Sequence, residues 1–195
     1  GMGLERLSMA LKGIKSTYEI EIFKSIMDDI SKISQKKYGS NDKFDIAFRV
    51  ISDHIRAVTF AISDGEIPSN NKAGYVIRRI LRRAIRYGFS TLNIKKPFLY
   101  KLVKNVIQEY KEVFKNLNDQ KSFIEKVILE EEKSFLNTLE KGLLRINEIK
   151  NKFKSSSMVL DGKTVFELYD TYGFPFDLTA LIANENSFKI DKKAF

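Results

Sequence analysis

The sequence predicts an all-α fold, a multi-helical bundle. Apolar residues recur at three- and four-residue spacing along most of the 195 residues, which is the pattern of amphipathic helices. The three prolines, at positions 68, 97 and 175, leave long stretches without a strong helix breaker. Strand-like alternation is scarce. One short extended piece near Phe188–Ile190, in a tiny hairpin at the C-terminal end, is the only expected exception.

Taken in order, the pattern predicts helices over 4–12, 18–37, 45–63, 74–88, 97–116, 120–153, 163–170 and 176–185. The first interruption that reads as a linker is KKYGSNDK, from Lys36 to Lys43, a polar stretch with a Gly-Ser-Asn-Asp run. The segment DGEIPSNNKAG, from Asp64 to Gly74, is a loop by its Gly, Pro, Ser and Asn content. In the long 120–153 helix, Ile128, Phe135, Leu139, Ile146, Ile149 and Phe153 lie along one side and Glu and Lys occupy the other. That distribution describes a structural strut. KSSSMVLDG, from Lys154 to Gly162, is a second linker. Pro175 suits the start of the last helix.

Composition bounds the chemistry. An apolar fraction of 43% beside a charged fraction of 30% suffices for a packed core. The absence of cysteine excludes disulfides, a thiolate zinc site and a cysteine nucleophile. A single histidine cannot build a histidine metal cage, and His54, in ISDHIR, reads as a hydrogen-bonded structural residue rather than a catalytic base. No apolar run nears the roughly 20 residues that span a bilayer, and no signal-peptide pattern opens the chain, so a cytoplasmic protein is expected. The net charge of +9 favours a polyanionic partner.

Three segments are candidates for function. In YVIRRILRRAIRY, from Tyr75 to Tyr87, Val76, Ile77, Ile80, Leu81, Ala84 and Ile85 fall on one half of a helix. Arg78, Arg79, Arg82, Arg83 and Arg86 fall on the other. Five guanidiniums with no acid among them repel one another. Their forked donors suit phosphate, and one or two are expected to pair with carboxylates inside the protein. Asn70 and Asn71 stand at the tip of the preceding loop. Turn or cap geometry accounts for them most simply; the alternative is a contact to a base edge, since an amide both donates and accepts. Asp170, in YDTYGFP, carries the same two readings: a helix-end or turn residue, or an acceptor for an exocyclic amine. The opening Gly1-Met2-Gly3 has no strand before it, so a dinucleotide-binding loop has no support.

Four segments, in order, resemble the alanyl-tRNA synthetase family of class II aminoacyl-tRNA synthetases. GMGLERLSMALKG resembles motif 3 of that class, and STYEIEIF the segment that follows it. RVISDHIRAVTFAISDGEIPSNNKAGYVIRRILRRAIRYG and DGKTVFELYDTYGFPFDLT resemble the helical region that identifies the tRNA. The resemblance spans essentially the whole chain. It implies a ligase that activates alanine with ATP and Mg2+ and transfers it to the 3′ end of tRNA(Ala). It makes Arg6 a ligand of the ATP phosphates and Gly3 the point of close backbone approach to the nucleotide. Only motif 3 of the three catalytic motifs is present, so this stretch alone is expected to be inert and to hold neither cofactor nor metal.

The same resemblance assigns Asn70 and Asp170 to a G·U wobble pair of the acceptor stem. An A-form minor groove is wide and shallow, and the guanine 2-amino group lies there without a pairing partner. Arg78, Arg79, Arg82, Arg83, Arg86 and Lys72 would hold neighbouring phosphates and set the register. The expected organisation is a remnant of the catalytic domain over 1–38 and a helical acceptor-stem domain over 39–195. Some positions depart from the family: Ala73 replaces a common arginine, Tyr87 a common histidine, and Glu19 and Glu21 the usual aspartates. A stand-alone RNA-binding module is one alternative, disfavoured by a start inside motif 3. A helical protein–protein adaptor is the other; salt-dependent RNA binding would separate it from both.

Overall fold

The computed structural model describes residues 3–152, 159–186 and 188–190. Among them lie α1 (Leu4–Lys12), α2 (Glu21–Ser34), α3 (Asp42–Ser63), α4 (Lys72–Ser90), α5 (Val103–Tyr110), α6 (Asn116–Asp119) and α7 (Lys121–Lys152). Then come β1 (Val159–Leu160), α8 (Gly162–Asp170), α9 (Phe176–Glu185) and β2 (Lys189–Ile190). The architecture is an all-α bundle with one minimal pair of strands. Gly1, Met2, Phe153 and residues 154–158 of the second linker lie outside the described residues. The chain divides into two compact units, Gly1–Glu132 and Lys133–Phe195. The motif-based boundary at 38/39 falls inside the first.

In the first unit, α3 packs most extensively on α4, and α2 packs on α3 and α5. The core is the sum of their apolar stripes: Phe23, Ile26 and Ile30 from α2, Phe48, Ile51 and Ile55 from α3, and Leu81 and Ile85 from α4 are all buried. Each such side chain contributes about 1.5–3 kcal/mol by leaving water. α3 begins three residues before the periodicity suggests because Asn41 caps it, its side-chain oxygen accepting the Lys43 N–H at 2.8 Å.

The 97–116 segment is not one helix. A 3-10 turn occupies Leu99–Leu102, and α5 and α6 follow as separate pieces. The start of the segment is set from far along the chain. Glu132, on α7, accepts the N–H groups of Phe98 at 2.8 Å and Leu99 at 3.1 Å and ties the start of the segment down. This carboxyl is fully buried. Burial pushes its pKa up to about 7, against the backbone N–H groups that favour the charged form.

In the second unit, the expected C-terminal hairpin is corrected. β1 and β2 pair in parallel, Val159 opposite Lys189 and Leu160 opposite Ile190. Parallel strands need a crossover connection, and α8 and α9 supply it. Ile149, Leu160, Val165 and Ala183 form one buried cluster, with Phe176, Phe188 and Ile190 against it. No helix among the described residues is long and apolar enough to cross a membrane.

Candidate nucleic-acid interface

The Pro68-Ser69-Asn70 loop is held against the first turn of α4. The Ser69 N–H donates to the Gly74 carbonyl at 3.0 Å. Gly74 is buried, and a Cβ there would collide with Ser69 Oγ and the Ile67 carbonyl oxygen. The glycine is required by this close approach, since its backbone is ordinary helix. Asn71 occupies the N-cap position without a side-chain cap hydrogen bond. Lys72 follows, exposed and in the left-handed region at φ 49°, a conformation that costs a non-glycine residue about 1 kcal/mol or more.

The arginine half of α4 is not an open face. Arg78 Nη1 donates to Asn70 Oδ1, and Nη2 donates to the Pro68 carbonyl at 3.4 Å. Its Nε lies 3.2 Å from Glu131 Oε2, an ion-pair contact without hydrogen-bond alignment. Arg82 Nε and Nη2 sit 2.7 and 2.6 Å from Glu131 Oε1. Glu131 is buried, so one carboxylate compensates two guanidiniums that water reaches poorly. Burial holds Arg82 below its ordinary pKa, against the opposing pull of Glu131.

Arg79 and Arg83 are half-buried, and Arg83 Nε is enclosed without a hydrogen-bond partner among the described residues. Arg86 is buried beside the Tyr87 ring, 5.2 Å from its centroid. The outward orientation read from the helical wheel is thus corrected at Arg86. The second half of α4 is covered nearly all round, with Tyr87, Gly88 and Phe89 buried as well. Beside the loop runs a cleft of about 420 Å³, lined by Ile67, Pro68, Phe123, Lys126, Val127 and the acids Glu130 and Glu131.

In the second unit Asp170 is the last residue of α8 and is exposed. No partner for its carboxylate occurs among the described residues. Phe166 and Tyr169, at helical spacing on the same face, are exposed at 54% and 39%, a large apolar display for so short a helix. The helix is fixed at its start by Asp161, whose carboxylate accepts the Thr164 N–H at 2.6 Å. Its end is fixed by a turn through Gly173, at φ 67°, with the Phe174 N–H donating to Leu168 O at 2.9 Å.

At the other end of the chain, Gly3 is the N-cap of α1 and Arg6 is exposed, with no partner among the described residues. α1 buries none of its residues and leaves Leu4, Leu7 and Leu11 exposed. Glu5 pairs with Arg56 of α3. Among the described residues no three His, Asp or Glu side chains gather as a metal site.

In the first unit Asn70 meets Arg78 at the loop–helix junction where Lys72 opens α4, while Arg79, Arg82, Arg83 and Arg86 follow along the same helix toward its other end. Asp170 belongs to the second unit, and Gly3 and Arg6 belong to α1. Glu131, which organises the junction, was missed in the sequence. It stands 49 residues beyond Arg82 in a run of glutamates, where nothing local distinguishes it.

A family model described as tRNA synthetases class II (A) matches residues 1–195. The chain is 52% identical over 196 residues to an alanine–tRNA ligase of Cytophaga hutchinsonii and 50% identical over 195 residues to one of Christiangramia forsetii. It is 48% identical over 196 residues to one of Porphyromonas gingivalis. Each match covers 100% of this chain and 22% of the relative, so the chain spans about a fifth of the length of these curated relatives.

Proposed function

This chain belongs to the class II (A) tRNA synthetase family, and on that premise we propose that it is the part of an alanine–tRNA ligase that grips the acceptor stem of tRNA(Ala). The whole enzyme would join alanine to tRNA at the expense of ATP. The observation that carries the reading is the junction at α4, where a loop amide, Asn70, stands beside Arg78 on a helix that bears four further arginines. An amide can read a base edge, and cations beside it can hold the phosphates that set the register. Lys72, Arg79 and Arg83 are the first candidates for phosphate, since Arg78 and Arg82 engage Glu131 and Arg86 is buried. Asp170 offers a second acceptor for the guanine 2-amino group of a G·U pair. The division of labour follows the motifs, with 1–38 belonging to the catalytic domain and 39–195 to stem recognition.

Gly3 and Arg6 would meet ATP phosphates in the whole enzyme, a role supported by their exposure and by an Arg6 guanidinium without a partner among the described residues. With one catalytic motif of three, the chain alone would not form alanyl-adenylate.

The test is binding of this chain to an acceptor-stem duplex with its G·U pair and to the same duplex with G·C, each at two salt concentrations. Tighter binding of the G·U duplex, lost in Asn70→Ala and in Asp170→Ala, is the expected result. Affinity falling steeply with salt reports the phosphate contacts. Absence of measurable binding to either duplex overturns the reading.

A further inference from the structure

We propose that Arg78, braced by the buried carboxylate of Glu131, is a positioning residue that fixes which edge of the Asn70 amide faces a ligand. The inference rests on the reading of Asn70 as a base-edge contact. It begins from the chemistry of the contact. A guanidinium carries five N–H donors and no acceptor. An amide facing it can do so only through oxygen, because its NH2 group would set donor against donor. The Arg78–Asn70 hydrogen bond therefore settles the rotation of the amide about its last bond. The oxygen is drawn toward α4 with one lone pair left over, and the two N–H donors face away.

Arg78 is itself held at three points. One arm reaches Asn70, another the Pro68 carbonyl at 3.4 Å, and Nε lies 3.2 Å from Glu131. Glu131 is buried and engaged by Arg82 at 2.6 and 2.7 Å, so it cannot follow Arg78 outward. The chain of contacts runs from α7 through Arg78 to the exposed tip of the loop. Arg78 spent in this way is not a phosphate ligand. A ligand with an exposed amine meets the remaining oxygen lone pair, and a neighbouring hydroxyl or carbonyl oxygen meets the amide N–H. A flipped amide would present donors to the amine and reject it.

A carboxylate accepts on both edges and has no wrong rotation. This difference yields a test that a purely structural role would not pass. In Glu131→Gln, the Asn70 side-chain amide should lose order in 15N relaxation of the free chain. The preference for the G·U over the G·C duplex should fall by about tenfold, the scale of a well-formed base contact, while affinity for both duplexes rises because two guanidiniums are released. Adding Asn70→Asp to that variant should restore the preference, since orientation no longer matters. If Glu131→Gln does not fold, Arg78→Met removes the donors that select the amide oxygen, and its effects on amide order and on the G·U preference are read in the same way.

An Asn70 amide as ordered in the variant as in the wild type overturns the proposal. So does a G·U preference that survives Glu131→Gln, or one that Asn70→Asp fails to restore. A wild-type chain without any G·U preference defeats the functional reading instead. The relaxation measurement then still decides whether Glu131 and Arg78 orient the amide.

Discussion

In the first unit Asn70 leans on a guanidinium that is itself held by Glu131. In the second unit Asp170 closes α8 with no partner among the described residues. The two side chains are proposed for one task, acceptance of a hydrogen bond from a base amine, and their chemistry explains the difference in support. An amide has one useful edge and one opposed edge, so its neighbours must choose between them. A carboxylate accepts from any side and needs no orienting partner. Its cost lies elsewhere: Asp170 places a negative charge at the negative end of a helix dipole.

The largest effect that could break this comparison is on stability. Glu131→Ala strips the counter-charge from two half-buried guanidiniums and should destabilise the first unit by about 3 kcal/mol in urea unfolding. Asp170→Ala should change stability by less than about 0.5 kcal/mol, as an exposed position without a partner among the described residues does. Equal effects would mean that the two acceptors are supported alike.

The second effect is a pH dependence carried by Glu132 in the first unit. The Glu132 carboxyl has a pKa of about 7 in the fold against an ordinary value of 4.5. Between these values the folded chain holds a proton that the unfolded chain releases. The Glu132 contribution to stability is then full below about pH 4.5, declines as pH rises to about 7 and levels off, with an upper limit of about 3 kcal/mol. Glu132→Gln, which keeps an acceptor for the Phe98 and Leu99 N–H groups, should flatten the melting temperature across that window. A slope unchanged in the variant would assign the titration to other groups.

A smaller effect sharpens the comparison at the loop. In Gly74→Ala the added methyl collides with Ser69 Oγ and the Ile67 carbonyl, an overpacking cost of about 2–3 kcal/mol. Helix propensity returns up to about 1 kcal/mol, leaving a net loss of about 1–2 kcal/mol. NMR shifts of Asn70 should move while those of Asp170 stay. The smallest effect has the opposite sign: Asp170→Asn should raise stability by a few tenths of a kcal/mol by relieving the helix end, measurable as a small rise in melting temperature, while weakening discrimination between the duplexes.

Much of the fold was legible because its signals are local. α1, α8 and α9 match the predicted spans to within a residue, and α7 is recovered through Lys152. Asp161 and Pro175 mark helix starts within one turn of the residues they serve. What escaped depends on partners far along the chain. Periodicity over 97–116 could not reveal that Glu132 would tie down Phe98 and Leu99 from 34 and 33 residues away. A helical wheel likewise sorted the arginines by angle, without access to the packing that buries Arg86 or the carboxylate that engages Arg78 and Arg82. The candidate site was legible as residues, and its wiring was not.

The hydrogen bond from Ser69 to Gly74 has a consequence in time as well as in space. It closes residues 69–74 into a small ring seated on α4, so the tip carrying Asn70 is not a flap that must swing before a ligand can enter. Ordering of that loop is completed when the chain folds, and little of it is left to oppose association. Encounter at this edge should then follow a single phase whose rate rises in proportion to ligand concentration, without the plateau that a slow opening step would impose.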